Sequence, residues 1–404
     1  MFIVRRLNLE GSAALGTIFD EYAMKTHDYA LITPTYRGHF DFIKKYLSSL
    51  NKFSKGEKIP IYLTVEEDDV FDLEEIASNY KNIDVRVLSF EMILSRFDIR
   101  KSTSQLLETM GRFSYQTLKK LYTILYINES KSLIVDSESM MIRDYELSKL
   151  FDEYFRNPFI SYSKLSERKF NATFTKNVIQ NSNFLLKEDD DAFFLENFIW
   201  FYDKKIVKDL CDFIGTPYEM VMLLEKNKKT NLFEIQIYHH FIYANKEKYG
   251  YKSINVTHEL KNALSKEGFD SYMKKFYGLY KGNCGILERV GSCVSKENIN
   301  DLSDLFHKLK FNIIRSEYSS GMKYHSLLIR KINPVMLCAS QEHSFGINNS
   351  FINRWIDASD TRWEVNIVKN KLHSYQTILS NSILYRVPRV LLKMLVNPIR
   401  NIFK

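Results

Sequence analysis

The 404-residue chain has few cysteines, no long apolar runs and, at one end, no acids. Its four cysteines, Cys211, Cys284, Cys293 and Cys338, form no Cys-x-x-Cys pair, so the spacing encodes neither a zinc knuckle nor a disulfide framework. They read as buried thiols. Nowhere do eighteen apolar residues follow one another, which argues against a membrane-spanning helix. The opening stretch MFIVRRLNLE lacks the apolar core of a signal peptide. The expected location is therefore cytoplasmic. Low-complexity tracts are missing as well, and a chain that is 45% hydrophobic and 14% aromatic has ample material for a core.

The shortage of acids is local. From Val365 onward there is no Asp or Glu, whereas Lys369, Lys371, Arg386, Arg389, Lys393, Arg400 and Lys404 are all basic. The net charge of +8 is concentrated there and the body is nearly neutral. Nucleic-acid-binding domains spread positive charge over a folded face, so confinement to one end argues against a nucleic-acid partner. In YRVPRVLLKMLVNPIRNIFK, the polar residues Arg386, Arg389, Lys393, Asn397, Arg400 and Lys404 fall on one helical stripe opposite an apolar face. That pattern predicts a helix over 381–404 lying peripherally on an anionic membrane surface, bent or ended at Pro398.

Apolar and helical segments alternate through the first half. YALIT (29–33), IPIYLTV (59–65), VRVLSF (85–90) and KSLIVDSE (131–138) read as strands. Helical periodicity falls near 39–51, 71–80 and 113–127. A β-α-β-α-β-α-β order predicts an α/β fold with a mostly parallel sheet flanked by helices. Ligands of such sheets sit outside the carboxyl ends of the strands, where TPTYRG, EEDD and DSES all fall. Further on, FISYS (159–163) reads as a strand and FEIQIYHHFIYAN (233–245) as a helix, while YHSLLIRKI (324–332) and PVMLCAS (334–340) read as paired strands. The expected organisation is an α/β domain over 1–255, a mixed α/β accessory region over 256–380, and the basic tail over 381–404.

Asp136 and Glu138 close the fourth strand. Residues two apart on a strand share a face, so the two carboxylates are expected to converge on one object. Oxygen ligands suit hard cations such as Mg²⁺ or Mn²⁺, whose other ligands are often substrate phosphates. An isolated Asp-x-Glu is common by chance. Here an apolar run leads into it and the preceding helix carries Lys119 and Lys120, an ammonium that can reach a phosphate.

FSYQTLKKLYTILYINESKSLIVDSESMMI resembles the helix-and-strand core of GT-A-type nucleotide-sugar glycosyltransferases, and YALITPTYRGHFDFIKKYLSSL is similar to their first strand, nucleotide loop and first helix. The resemblance spans roughly residues 28 to 250 and points to the enzymes of bacterial surface-polysaccharide (O-antigen or capsule) clusters. It implies a sugar transferred from a nucleotide-diphosphate donor to a surface glycan or lipid-linked acceptor, with nucleotide-sugar binding and catalysis in 1–255 and an accessory or acceptor region in 256–380. It implies Mn²⁺ or Mg²⁺ held by Asp136 and Glu138 around Ser137, a donor contact from Lys119, and a nucleotide loop containing Thr33, Thr35 and Tyr36. Glu138 stands where the family has a second Asp.

Glu234 in LFEIQIYHH resembles the family's Glu-x-x-x-Tyr stretch, with Tyr238 four residues on, on the same helical face. An inverting enzyme needs a base, and Glu234 is the candidate; in a retaining one it holds the acceptor with Tyr238. Its other reading is a glutamate at a helix start, favoured by the dipole. His239, His240 and His343 are possible extra metal ligands, though most histidines are neither ligands nor bases. Two other readings remain. A nucleotidyltransferase usually carries a glycine-rich phosphate loop, which TPTYRG is not. A non-catalytic membrane- or nucleic-acid-binding protein would bind no nucleotide sugar.

Overall fold

The computed structural model describes residues 28–168, 173–195, 200–270, 294–310, 312–316 and 323–339. Cys284, Cys293, His343 and the basic tail lie outside them. Among the described residues no helix is long and apolar enough to cross a membrane.

Four parallel strands form the centre: β1 (Tyr29–Pro34), β2 (Pro60–Val65), β3 (Asp84–Ser89) and β4 (Lys131–Ile134). With β5 (Ser139–Met141), β6 (Phe159–Lys164), β7 (Ala192–Phe193) and β8 (Phe201–Asp203) following, the main sheet runs β8-β4-β1-β2-β3, with β8 antiparallel to β4. The predicted mostly parallel α/β layer is therefore present. Its central strands β1 and β2 are apolar runs because both faces are covered: every residue of β2 is buried, as are Ala30 to Thr33 of β1, whereas the edge strand β3 is half-buried throughout. Burial of each large side chain, such as Leu31 or Leu63, contributes about 1.5–3 kcal/mol. Pro60 is tolerated because it opens its strand.

Helices α1 (Phe40–Phe53), α2 (Val70–Ser78) and α3 (Phe90–Arg96) follow β1, β2 and β3 in turn. The long α4 (Thr103–Tyr126) returns the chain to β4. Ser102 caps α4 in a capping box with Gln105, and Gly111 breaks it with φ 73° and ψ 165°, a conformation only glycine adopts cheaply. From β1 the chain builds outward through β2 and β3, then crosses back to place β4 on β1's other side. The carboxyl ends of β1 and β4 thus flank the point where strand order reverses, the crevice in which such sheets bind ligands.

Of two smaller sheets, one lies within residues 159–255 and the other joins chain from either side of residue 255. β9 (Lys252–Asn255) pairs parallel with β6, whose other neighbour is β7. β10 (Ile313–Ser316) and β11 (Met336–Ala339) pair in parallel, and β11 pairs antiparallel with β5. Met336 to Cys338 lie opposite Met141 to Ser139, immediately beyond the acidic motif.

Two expectations are corrected. Residues Lys323–Ile332 form a helix, not a strand; Leu328, Ile329 and Ile332 are its buried residues, a helical spacing, and β11 takes its partners from β5 and β10 instead. The fourth strand also ends early, at Ile134. Asp136 to Ser139 form a turn closed by the Ser139 N–H donating to the Asp136 carbonyl at 3.0 Å. Same-face alternation on a strand therefore does not bring Asp136 and Glu138 together; a turn at the strand's tip carries both.

Candidate active site

The loop after β1 is fastened to its neighbours by backbone and buried charge. The Thr35 N–H donates to the Thr64 carbonyl at 2.9 Å. From α4, the Lys119 ammonium donates to the Thr35 carbonyl at 2.8 Å and to Glu66 Oε1 at 2.9 Å. The Tyr115 hydroxyl donates to the same Glu66 oxygen at 2.7 Å. Lys119 was expected to meet a phosphate; it is buried and ties the β1 loop to the β2 loop. Burial lowers its pKa, and the Glu66 carboxylate opposes that. Arg37 makes a second tie, reaching Asp69 at 2.6 Å and Asp72 at 2.7 Å, so part of EEDD is an anchor for the neighbouring loop.

The turn after β4 meets that loop directly. His39 Nδ1 lies 2.6 Å from Ser137 Oγ, and Ser137 Oγ donates to Glu138 Oε2 at 3.1 Å. His39 Nδ1 also lies 3.8 Å from Glu138 Oε1. On the other side, the Cys338 thiol of β11 is 4.0 Å from Asp136 Oδ2. Tyr36, 43% exposed, packs its ring on His39 at 4.2 Å, and Phe42 meets the same imidazole edge-on at 5.3 Å. Gly38 makes room for this: a Cβ there would stand 2.5 Å from Tyr36 Cε2. The Thr35 hydroxyl is buried without a hydrogen-bond partner, and Thr33 sits beneath the loop, donating to the Tyr46 hydroxyl at 3.2 Å.

Six of the residues singled out in the sequence therefore gather at the reversal point: Thr35, Tyr36, Lys119, Asp136, Ser137 and Glu138. His39, Glu66 and Cys338 join them without having been assigned a role. His39 follows the quoted TPTYRG loop directly, whereas Cys338 arrives by long-range strand pairing that no local signal encodes.

Glu234 and Tyr238 lie on α5 (Glu234–Ala244), which is buried from Glu234 to Ile242. Glu234 is 1% exposed; Lys120 of α4 donates to one oxygen and the Thr117 hydroxyl to the other at 2.8 Å. Lys120 also lies 4.6 Å over the Trp200 ring. Glu234 does open its helix, as one reading of the sequence had it, but it is buried there rather than exposed, and Lys120 is buried with it. Tyr238 is fully buried, packs at a tilt against Tyr202 and accepts a hydrogen bond from the Asp203 N–H at 2.8 Å.

His239 and His240 are enclosed on the same helix, and burial pushes their pKa values down to about 3 and about 4. Both rings are neutral at pH 7. As pH falls below 6.5 the unfolded chain takes up these protons first, so stability is full above that pH and is lost toward pH 4. For His239 the loss by pH 4 is on the order of 3 kcal/mol. Urea unfolding midpoints across this range should fall steeply, and His239→Leu should flatten the profile. An unchanged profile would contradict the burial argument.

Among the described residues no three or more His, Cys, Asp or Glu side chains form a metal-holding group. The donor set of the turn is two carboxylates, which fits a hard cation that draws its remaining ligands from substrate phosphates rather than from an all-protein cage.

No protein-family profile matches the chain, and neither does any curated protein. In three dimensions it is similar to mouse xyloside xylosyltransferase 1 in its apo form, at 10% identity over 57% of this chain and 85% of that one, with a TM-score of 0.35. It is also similar to an active-site mutant of LgtC, at 11% identity over 56% of this chain and 73% of that one, with a TM-score of 0.37. Overlap at this level carries no argument about chemistry, which rests on the side chains above.

Proposed function

We propose that the chain is a metal-dependent glycosyltransferase of the GT-A type, moving a sugar from a nucleotide-diphosphate donor to a bacterial surface glycan or a lipid-linked acceptor. The observation that carries this reading is the junction at the strand-order reversal, where His39 joins the β1 loop to the Asp-Ser-Glu turn at 2.6 Å.

In this reading Asp136 and Glu138 hold Mn²⁺ or Mg²⁺ against the donor's diphosphate. The ion, when bound, neutralises charge growing on the leaving group. The exposed Tyr36 ring offers a face on which a nucleobase stacks. The unpartnered Thr35 hydroxyl is buried in the same loop, where leaving it unpaired costs about 1–3 kcal/mol until a donor hydroxyl or phosphate meets it. Lys119 acts on the donor through the loop: with its ammonium shared between the Thr35 carbonyl and Glu66, it holds the nucleotide platform in place. Glu234, with both oxygens engaged by Lys120 and Thr117, serves chiefly to hold α5 on α4. Tyr238, fully buried and accepting from the Asp203 N–H, supports β8. The basic stripe of 381–404 would keep the enzyme beside anionic lipid and its acceptor.

A thermal-shift screen of UDP-, GDP- and CMP-sugars, with and without Mn²⁺, tests the reading. One nucleotide sugar should raise the melting temperature, and more so with Mn²⁺. Stabilisation by nucleoside triphosphates with sugar phosphates would favour a nucleotidyltransferase instead. No shift with any nucleotide would favour a binding protein.

A further inference from the structure

We infer that His39 is a positioning residue for the metal-binding turn, acting through Ser137 on the Glu138 carboxylate; this rests on the functional reading above. The proton count gives the link its direction. Ser137 has one hydroxyl proton, and because an ionised carboxylate can only accept, the 3.1 Å contact with Glu138 Oε2 takes that proton. The 2.6 Å contact with His39 therefore requires the imidazole to donate, with its proton on Nδ1. The chain His39 Nδ1–H to Ser137 Oγ–H to Glu138 ends on one carboxylate oxygen, Oε2, and so fixes the orientation of the group.

The imidazole has little freedom. Tyr36 covers it at 4.2 Å and Phe42 abuts it at 5.3 Å, while its side chain is only 17% exposed. It belongs to the β1 loop, which Lys119 and the Thr35–Thr64 backbone bond fix to the sheet. Glutamate has one more rotatable bond than aspartate and so needs more restraint to present its carboxylate in one place. The His39–Ser137 link supplies that restraint, which accounts for a Glu where the shorter acid would need less help. Groups that orient a metal-binding side chain in this way are worth roughly 10- to 100-fold in metal affinity.

The test is a Mn²⁺ titration of the full chain, read by loss of the free Mn²⁺ electron paramagnetic resonance signal, with inorganic pyrophosphate standing in for the donor's diphosphate. Circular dichroism and metal-free melting temperature serve as controls for folding. His39→Ala and Ser137→Ala should each raise the Mn²⁺ midpoint about tenfold. The double variant should be no weaker than either single one, because the two act as one unit. His39→Asn, whose amide N–H falls near the place of Nδ1, should stay within about threefold of the wild type, and His39→Gln should not. Unchanged Mn²⁺ binding in His39→Ala, with binding lost in Asp136→Asn, overturns this proposal and leaves the metal reading standing. Additive losses in the double variant, or no rescue by Asn, also overturn it. If the wild type binds no Mn²⁺ with pyrophosphate, the metal reading falls and this proposal with it.

Discussion

Asp136→Asn should lower donor hydrolysis and sugar transfer about 100- to 1000-fold, with the fold intact. The side chain keeps its size, and the turn is held by main-chain atoms, the Ser139 N–H on the Asp136 carbonyl, which the substitution leaves alone. What disappears is a negative charge where a cation and a diphosphate are to be aligned. Removing one preorganised electrostatic partner of a transition state costs about 2.7–4 kcal/mol, which sets the expected range. Higher Mn²⁺ should recover part of the rate if binding is the main loss. Assays of donor hydrolysis with the nucleotide sugar found in the thermal screen provide the measurement. Turnover within about threefold of wild type would place the chemistry elsewhere.

The second large effect concerns stability. Lys120 and Glu234 form a pair that is 7% and 1% exposed, with Thr117 on the second carboxylate oxygen and Trp200 over the ammonium. Deleting one partner strands the other charge in the interior, at about 3–5 kcal/mol. Lys120→Met and Glu234→Leu should each lower the urea midpoint by that equivalent, while the double variant should recover most of it. This also separates two roles for Glu234. A catalytic base without structural duty would lose activity on substitution with little change in stability, and pairing it with Lys120→Met would rescue nothing. A structural pair is destabilised by either change and restored by both.

The parts of this molecule that were legible in the sequence are those set by local periodicity. The β1 and β2 segments are apolar runs because both their faces are covered, and the alternating order of strands and helices was enough to give a parallel sheet. That sheet in turn put TPTYRG and DSES at the same edge, so Thr35, Tyr36, Asp136 and Ser137 could be named before any coordinates. What the sequence hid depends on tertiary environment. Lys119 and Lys120 are consecutive and nothing in the sequence separates them, yet one ties the β1 loop to the β2 loop and the other pairs with Glu234. His39 carries no pattern of its own; its role comes from a contact across 98 residues. The helix at Lys323–Ile332 was mistaken for a strand because LLI within it has no polar alternation to distinguish the two periods. Cys338 reaches Asp136 only through β5–β11 pairing, a long-range register that composition does not reveal.

The central claim is that one turn at the reversal point of the sheet grips a divalent ion against a diphosphate. The most direct measurement is anomalous diffraction at the manganese edge from crystals grown with Mn²⁺ and inorganic pyrophosphate. The account predicts a single strong peak within bonding distance of the Asp136 and Glu138 carboxylates, with pyrophosphate oxygens completing its shell. A peak bound by other residues, or pyrophosphate seated away from this turn, would contradict it.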